Sequence, residues 1–214
     1  MKTQIIKVSA KKIELSKLSK AADVLKNGGI VVFPTDTVYG IAANAFDLKA
    51  HKKIYRIKGR AFNKPLIIMA GSLKEIACVA GLTETAQSLA KEFWPGPLTM
   101  ILPATQTGAM VMGGRSNLGT RVPDCRVARA MLKLCDFPIA TTSANKSGKE
   151  SAKSGKEAVK CFKGKVDMII DAGVCKKGRE STVIDVTHFP FLVVREGCLS
   201  KRHLEKHLNK RIIV

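Results

Sequence analysis

Short apolar, β-branched runs alternate along this chain with stretches that have the hydrophobic spacing of helices. Seven runs are typical of strands, and they lie at 29–35, 65–70, 98–104, 137–143, 166–172, 181–186 and 191–196. Several of these runs are apolar on both faces, which is typical of central strands covered by helices. The alternation predicts α/β or α+β layers built around one sheet.

Six stretches between or after these runs predict helices, at 15–29, 47–59, 83–96, 124–135, 154–162 and 200–214. The first places Leu18, Ala22 and Leu25 on one stripe and stops at two glycines. The second begins at Asp47, a good N-cap residue, and ends before Gly59. Since the chain has neither an internal repeat nor a clear linker, we expect one domain and a short tail.

The composition is that of a folded protein without membrane segments. Hydrophobic residues make up 45% of the 214 positions and charged residues 25%, which disfavours disorder. No run approaches the roughly 20 apolar residues of a membrane span, and the first residues lack a signal-peptide pattern. The six cysteines are widely spaced without a C-x-x-C pair, which argues against a zinc site. We therefore expect a cytoplasmic protein with reduced thiols.

The net charge of +20 permits two interpretations. A field of this sign attracts polyanions such as nucleotides and RNA. Alternatively, it reflects a lysine-rich solvated surface, because much of the excess consists of lysines spread singly or in pairs. Charge alone does not decide between a binding surface and a solvated one.

Polar and basic residues collect where the predicted strands and helices end. Thr37 follows the first strand in FPTDTVYG, and Lys58, Arg60 and Lys64 occur within seven residues after the second helix. Because Gly59 and Pro65 interrupt regular helix there, the three cations can converge on a triphosphate. The alternatives are a turn that satisfies its own backbone and an ordinary basic loop. Further candidates of the same kind are Arg121, Ser143, Asn145, Ser181 and Arg195.

Several familiar signatures are absent from the sequence. It has no G-x-x-x-x-G-K-[ST] loop, no G-x-G-x-x-G after a strand, no G-x-S-x-G and no H-E-x-x-H. The candidate residues include no evident general base, nucleophile or metal triad. Such a set favours phosphoryl or nucleotidyl chemistry, in which positioning and charge neutralisation do most of the catalysis.

Seven collinear segments carry a family resemblance, and they span residues 28–197. They read GGIVVFPTDTVYGIAANAFD, KGRAFNKPLIIM, WPGPLTMIL, TRVPD, TTSANKSG, ESTVIDV and VVREG. In this order they resemble the YrdC-type threonylcarbamoyl-AMP synthase family, in its short single-domain form. The resemblance implies an α/β fold whose twisted mixed sheet curls with flanking helices around a basic cavity. It also implies a catalytic domain over 1–200 and a basic tail over 201–214.

The resemblance further implies a nucleotidyltransferase reaction. ATP, L-threonine and bicarbonate would give threonylcarbamoyl-AMP and pyrophosphate, the first step of tRNA threonylcarbamoyladenosine modification next to the anticodon. The product would pass to the machinery that transfers it to tRNA, and direct tRNA binding is left open. ATP is then a substrate, Mg²⁺ arrives with the nucleotide, and neither a tightly bound cofactor nor a protein metal site is expected.

Roles are implied residue by residue. The family's Lys-x-Arg pair falls on Lys58 and Arg60, which would hold ATP phosphates and serve catalysis. The remaining nucleotide contacts would come from Lys64, Asn145 and Arg195. Threonine contacts would come from Thr37, Arg121, Ser143 and Ser181.

Two positions depart from the family pattern. Met69 and Cys125 stand where relatives often have histidine. Two other functions stay open from the sequence alone: a non-catalytic RNA-binding member of the family, and a relative that forms a carbamoyl-adenylate. The scarcity of aromatic residues, 5% of the chain, argues against an RNA-stacking surface. The zinc-finger and acylphosphatase segments that normally accompany the carbamoyl-adenylate role are missing from the sequence.

Overall fold

Ten strands form one mixed sheet in the computed structural model, which describes residues 2–214. The strands are β1 (Gln4–Lys7), β2 (Val31–Phe33), β3 (Gly40–Asn44), β4 (Ile67–Met69), β5 (Leu98–Pro103), β6 (Asn117–Arg121), β7 (Ile139–Ser143), β8 (Met168–Asp171), β9 (Thr182–Asp185) and β10 (Leu192–Arg195). Their order across the sheet is β1-β8-β2-β3-β7-β4-β6-β5-β9-β10. Both parallel pairs, such as β4 with β6, and antiparallel pairs, such as β3 with β7, occur. The predicted α/β fold is confirmed.

Eight helices accompany the strands within residues 2–214. They are α1 (Leu15–Lys26), α2 (Leu48–Lys58), α3 (Leu73–Val79), α4 (Glu84–Phe93), α5 (Gln106–Val111), α6 (Arg126–Cys135), α7 (Gly155–Phe162) and α8 (Lys201–Leu208). The Asp47 carboxylate caps α2 by accepting from the Ala50 amide, and Gly59 ends it in the left-handed conformation. Across this part of the chain, every helix is too short or too polar to cross a membrane.

Each predicted strand contains an observed one, but β1, β3, β6, α3 and α5 were not predicted. β1 has only two apolar residues, and β3 consists mainly of glycine and alanine. β6 has one bulky apolar residue in the sequence NLGTR. These strands form because neighbouring strands supply their hydrogen-bonding partners, which a local pattern does not reveal.

Alternate residues of the central strands face two separate hydrophobic cores. Val32 and Ile41 belong to the core under α2, α4 and α7, whereas Val31 and Phe33 belong to the core under α1 and α6. Burial on both faces explains why these strands read as continuous apolar runs. On the second face, no apolar cluster covers the neighbouring part of the sheet formed by β6, β5 and β9, within the residues described. The candidate site lies on that uncovered face.

The residues that follow the last strand pack onto the domain. Leu204 of α8 and Ile212 are fully buried, and α8 lies against α4. Ile213 pairs with Leu192 of β10 as a parallel bridge. The division into a catalytic domain over 1–200 and a tail over 201–214 stays a prediction, although these contacts join the last residues to the first core.

Candidate active site

A cavity of about 420 Å³ lies on the uncovered sheet face. Its floor is made by residues that alternate with the first core, such as Ile67 of β4, Ile101 of β5 and Gly119 of β6. Seven of the nine predicted site residues line it: Thr37, Arg60, Lys64, Arg121, Ser143, Ser181 and Arg195. The other two, Lys58 and Asn145, lie directly behind Ser143 and hydrogen-bond to it. The structure therefore brings all nine together.

Arg121, at the end of β6, is held at three points. Its Nε donates to Gly96 O at 3.0 Å, Nη1 to Thr37 Oγ1 at 2.9 Å and Nη2 to Asp36 Oδ1 at 2.6 Å. The side chain is 4% exposed, so burial lowers the pKa of this guanidinium while Asp36 opposes the shift. A guanidinium has five N–H groups, and the three bonds of Arg121 use three of them. Two N–H groups therefore remain for a ligand, one on each terminal nitrogen. A planar carboxylate can accept from such a pair.

The loop between β2 and β3 is fixed by its own hydroxyls. Thr35 Oγ1 donates to Val38 O at 2.6 Å, accepts from the Thr37 amide and lies 2.9 Å from Thr37 Oγ1. A second loop closes over it, because the Lys177 and Gly178 amides donate to the carbonyls of Asp36 and Thr37. The loop is therefore a turn whose polar groups bond to one another, which was the alternative considered from the sequence. Thr37 nevertheless lines the cavity.

Lys58 occupies the last turn of α2 and is 2% exposed. Its Nζ donates to Asn145 O at 2.9 Å, to Asn145 Oδ1 at 2.8 Å and to Ser143 O. Burial and the neighbouring Arg60 lower the pKa of Lys58 to about 7, while Glu180 opposes the shift. Lys58 thus holds the turn that carries Ser143 and Asn145, and in this state all three of its N–H groups are occupied.

Arg60 and Lys64 face the cavity from the loop after α2. Gly59 has a φ of 62°, which turns the chain sharply between Lys58 and Arg60. Arg60 Nε donates to Lys64 O and Nη2 to Pro65 O, both at 3.0 Å. Burial lowers the pKa of Arg60, and Arg195 adds to that effect. Of the three cations predicted to converge, Arg60 and Lys64 line the cavity, whereas Lys58 lies behind it with its Nζ bonded to Ser143 and Asn145. Arg195 lines the cavity from another segment.

The opposite wall is built by the starts and ends of β9 and β10. Ser181 Oγ lies 2.9 Å from Thr99 Oγ1, and Arg195 Nη2 donates to Ser181 O at 2.9 Å. Arg195 also pairs with the Glu180 carboxylate, whose other oxygen accepts from Ser151 Oγ at 2.6 Å. Glu180 is the one carboxylate on the cavity wall within residues 2–214. The wall therefore combines small hydroxyls with a cation held by a carboxylate.

The comparisons with known proteins decide the family. A Sua5/YciO/YrdC family model, described as telomere recombination, matches residues 23–197. The chain belongs to this family. The threonylcarbamoyl-AMP synthase of Pyrococcus abyssi is 42% identical over 197 residues, which are 91% of this chain and 58% of that protein. A putative threonylcarbamoyl-AMP synthase of Methanocaldococcus jannaschii is 39% identical over 210 residues, 96% of this chain and 99% of that protein.

The family fold is also seen in a solved structure. Sua5 of Pyrococcus abyssi complexed with L-threonine matches with a TM-score of 0.94 at 41% identity, covering 99% of this chain and 63% of that one. This chain thus spans less than two thirds of the length of its Pyrococcus relatives. The family resemblance and the fold inferred from seven sequence segments are confirmed.

Some features of this family site were not among the predicted residues. Asp36 and Glu180 each hold a predicted arginine, and Thr99 contacts Ser181. Asp36 and Arg121 are 85 positions apart, so no local pattern indicates that they pair. Of the two departures from the family pattern, Met69 lines the cavity, whereas Cys125 lies outside it with a thiol pKa raised by burial. Within residues 2–214 no His, Cys, Asp and Glu side chains are grouped to hold a metal ion.

Proposed function

We propose that this protein is an L-threonylcarbamoyladenylate synthase, a nucleotidyltransferase that converts ATP, L-threonine and bicarbonate into threonylcarbamoyl-AMP and pyrophosphate. One observation carries the proposal: a single cavity is lined by the buried Arg121 and by a separate set of cations, Arg60, Lys64 and Arg195. The names of the relatives and the L-threonine in the Pyrococcus abyssi complex support the same reaction.

The amino-acid end of the cavity is Arg121 with Thr37. The two remaining N–H groups of Arg121 would donate to the threonine carboxylate. Hydroxyls of Thr37, Ser143 and Ser181 would bond the rest of the amino acid. Because Ser181 and Thr99 bond each other, the pair offers a donor and an acceptor to a substrate hydroxyl.

The phosphate end is formed by Arg60, Lys64 and Arg195. The threonine carboxylate, bicarbonate and the ATP phosphates are all negatively charged and repel one another, and these cations offset the repulsion. Lys58 and Asn145 complete this end: Lys58 keeps the Ser143–Asn145 turn in place and would reach phosphate only by exchanging a present bond. Asn145 uses one of its two Nδ2–H groups on Lys149 O, so the other could donate to phosphate.

The chemistry consists of two bond-forming steps. The threonine nitrogen attacks the bicarbonate carbon, water is lost and a carbamate forms. A carbamate oxygen then attacks the α-phosphorus of ATP, the bond from that phosphorus to the bridging oxygen breaks, and pyrophosphate leaves. The protein contributes positioning and charge stabilisation to both steps. Mg²⁺ would enter with the nucleotide, since Glu180 is already engaged by Arg195 and Ser151.

The product would be handed to the machinery that modifies tRNA next to the anticodon. The net charge of +20 supports contact with tRNA, and six free cysteines fit the reducing cytoplasm in which we place the reaction. Contact of this kind would weaken steeply with salt, which filter binding of tRNA between about 50 and 200 mM salt would measure.

Pyrophosphate release from ATP tests the proposal, with L-threonine and bicarbonate added and omitted in turn. Release that requires both compounds is the expected result. Release without threonine, when carbamate is supplied as ammonium bicarbonate, would indicate a carbamoyl-adenylate enzyme. A folded protein that binds tRNA without any release would be a non-catalytic RNA-binding member of the family.

A further inference from the structure

A buried carboxylate stands behind the amino-acid end of the cavity. Asp36 is 2% exposed and does not line the cavity. Its Oδ1 accepts from Arg121 Nη2 at 2.6 Å and from the Asp124 amide at 3.1 Å. Its Oδ2 is buried as well, and has no hydrogen-bonding partner within residues 2–214.

An aspartate at this position could serve as a hydrogen-bond acceptor or as a negative charge, and the unpartnered Oδ2 distinguishes the two explanations. One oxygen makes both observed hydrogen bonds, and the amide oxygen of an asparagine would do the same. A second buried oxygen without a partner costs free energy, so hydrogen bonding alone does not account for it. What the carboxylate adds is negative charge, and that charge lies against a buried guanidinium.

The charge has a geometric consequence for Arg121. The guanidinium is fixed by the Gly96 carbonyl, the Thr37 hydroxyl and the Asp36 carboxylate, which come from two separate segments of the chain. The bond to the carboxylate is the shortest of the three and is charge-assisted. Without the bond to Asp36, the Arg121 guanidinium would keep only two neutral partners. It could then change its orientation by rotation about the side-chain bonds.

We propose that Asp36 is a positioning residue for the substrate carboxylate. Its negative charge holds the Arg121 fork so that the free N–H on each terminal nitrogen is presented as a pair. This proposal rests on the proposed function, because it takes the ligand of Arg121 to be the carboxylate of an α-amino acid. It predicts that the charge at position 36 governs the use of threonine but not of ATP.

The test compares Asp36→Asn with Asp124→Asn, a neighbouring exposed aspartate that undergoes the same change in charge. In Asp36→Asn we expect the KM for L-threonine to rise at least about tenfold. The KM for ATP and kcat at saturating threonine should stay within about threefold, and Asp124→Asn should match the wild type. A threonine KM that is unchanged or lower in folded Asp36→Asn overturns the proposal, because an uncompensated Arg121 would then attract the carboxylate at least as well.

A double-mutant comparison covers the case in which Asp36→Asn does not fold. Arg121→Gln removes the charge that Asp36 would leave unpaired, so Asp36→Asn is added to that background. If Asp36 acts through Arg121, the threonine KM of the double variant equals that of Arg121→Gln within about twofold. A further tenfold rise in the double variant contradicts the proposal. A wild-type protein without threonine-dependent release would instead refute the proposed function.

Discussion

At the scale of single residues, two cations predicted as a pair have different surroundings. Lys58 is buried with three acceptors around Nζ, whereas Arg60 faces the cavity. We predict that Arg60→Gln lowers turnover at least about tenfold, because a charged contact to phosphate contributes about 1.5–3 kcal/mol. Arg56→Gln, at an exposed position of α2 shortly before Arg60, is the matched control and should leave turnover within about twofold. Near-normal turnover in Arg60→Gln would exclude Arg60 from the phosphate site.

Lys58 should make the stability of the protein depend on pH. The pKa of Lys58 is about 7 in the folded protein, below the roughly 10.4 of an ordinary lysine. Between these values the unfolded chain binds more protons at this residue than the folded one, so the free energy of unfolding rises with pH. We predict that the wild type gains on the order of 2 kcal/mol more than Lys58→Met between pH 6.5 and 9. Urea unfolding at both pH values measures this, and equal gains in the two proteins would show an ordinary lysine.

At the scale of elements, the residues after β10 pack closely against the start of β9. Gly197 donates to Thr182 Oγ1 at 2.9 Å, and the Cys198 amide donates to Glu180 O at 2.9 Å. A Cβ on Gly197 would lie 2.2 Å from Glu180 O and 2.4 Å from the carbonyl carbon of Ser181. Only glycine lets these two segments of backbone approach so closely.

Gly197→Ala should therefore move the wall of the site. We predict a loss of about 1–3 kcal/mol in the free energy of unfolding, as in overpacked cores. Turnover should also fall about tenfold or more, because Glu180 and Ser181 would shift. Gly81→Ala is the matched control, since a Cβ there would have its nearest neighbour at 3.7 Å. Equal stability and turnover of the two variants would mean that the close approach is not needed.

At the scale of the whole molecule, two residues of the segment 201–214, Leu204 and Ile212, pack into the first core. Leu204 is fully buried, whereas Leu15, at the start of α1, is 57% exposed. We predict that Leu204→Ala lowers the free energy of unfolding by about 2–5 kcal/mol. Leu15→Ala should change it by no more than about 0.5 kcal/mol. Chemical denaturation checks both, and a Leu204→Ala protein as stable as the Leu15→Ala protein would support a loosely attached tail.

The sequence by itself determined the strands with strong apolar runs, the ends of α2 and the residue types that line the site. The runs at 137–143 and 166–172 contain β7 and β8, because strands buried on both faces need apolar residues throughout. Asp47 and Gly59 marked the ends of α2, because a cap and a left-handed turn are local requirements. Seven ordered segments also sufficed to indicate the family, since each places the same residue types in the same order.

Only the tertiary structure decided which residues share the cavity and what state each adopts. β3 and β6 form because β7, β4 and β5 supply their hydrogen-bonding partners. Asp36 meets Arg121, and Lys58 meets Asn145, across more than 80 positions of sequence. Burial then lowers the pKa values of Lys58 and Arg121, and burial depends on every layer packed around them. Local sequence determines propensity and chemistry, whereas long-range pairing and desolvation arise only when the sheet is assembled.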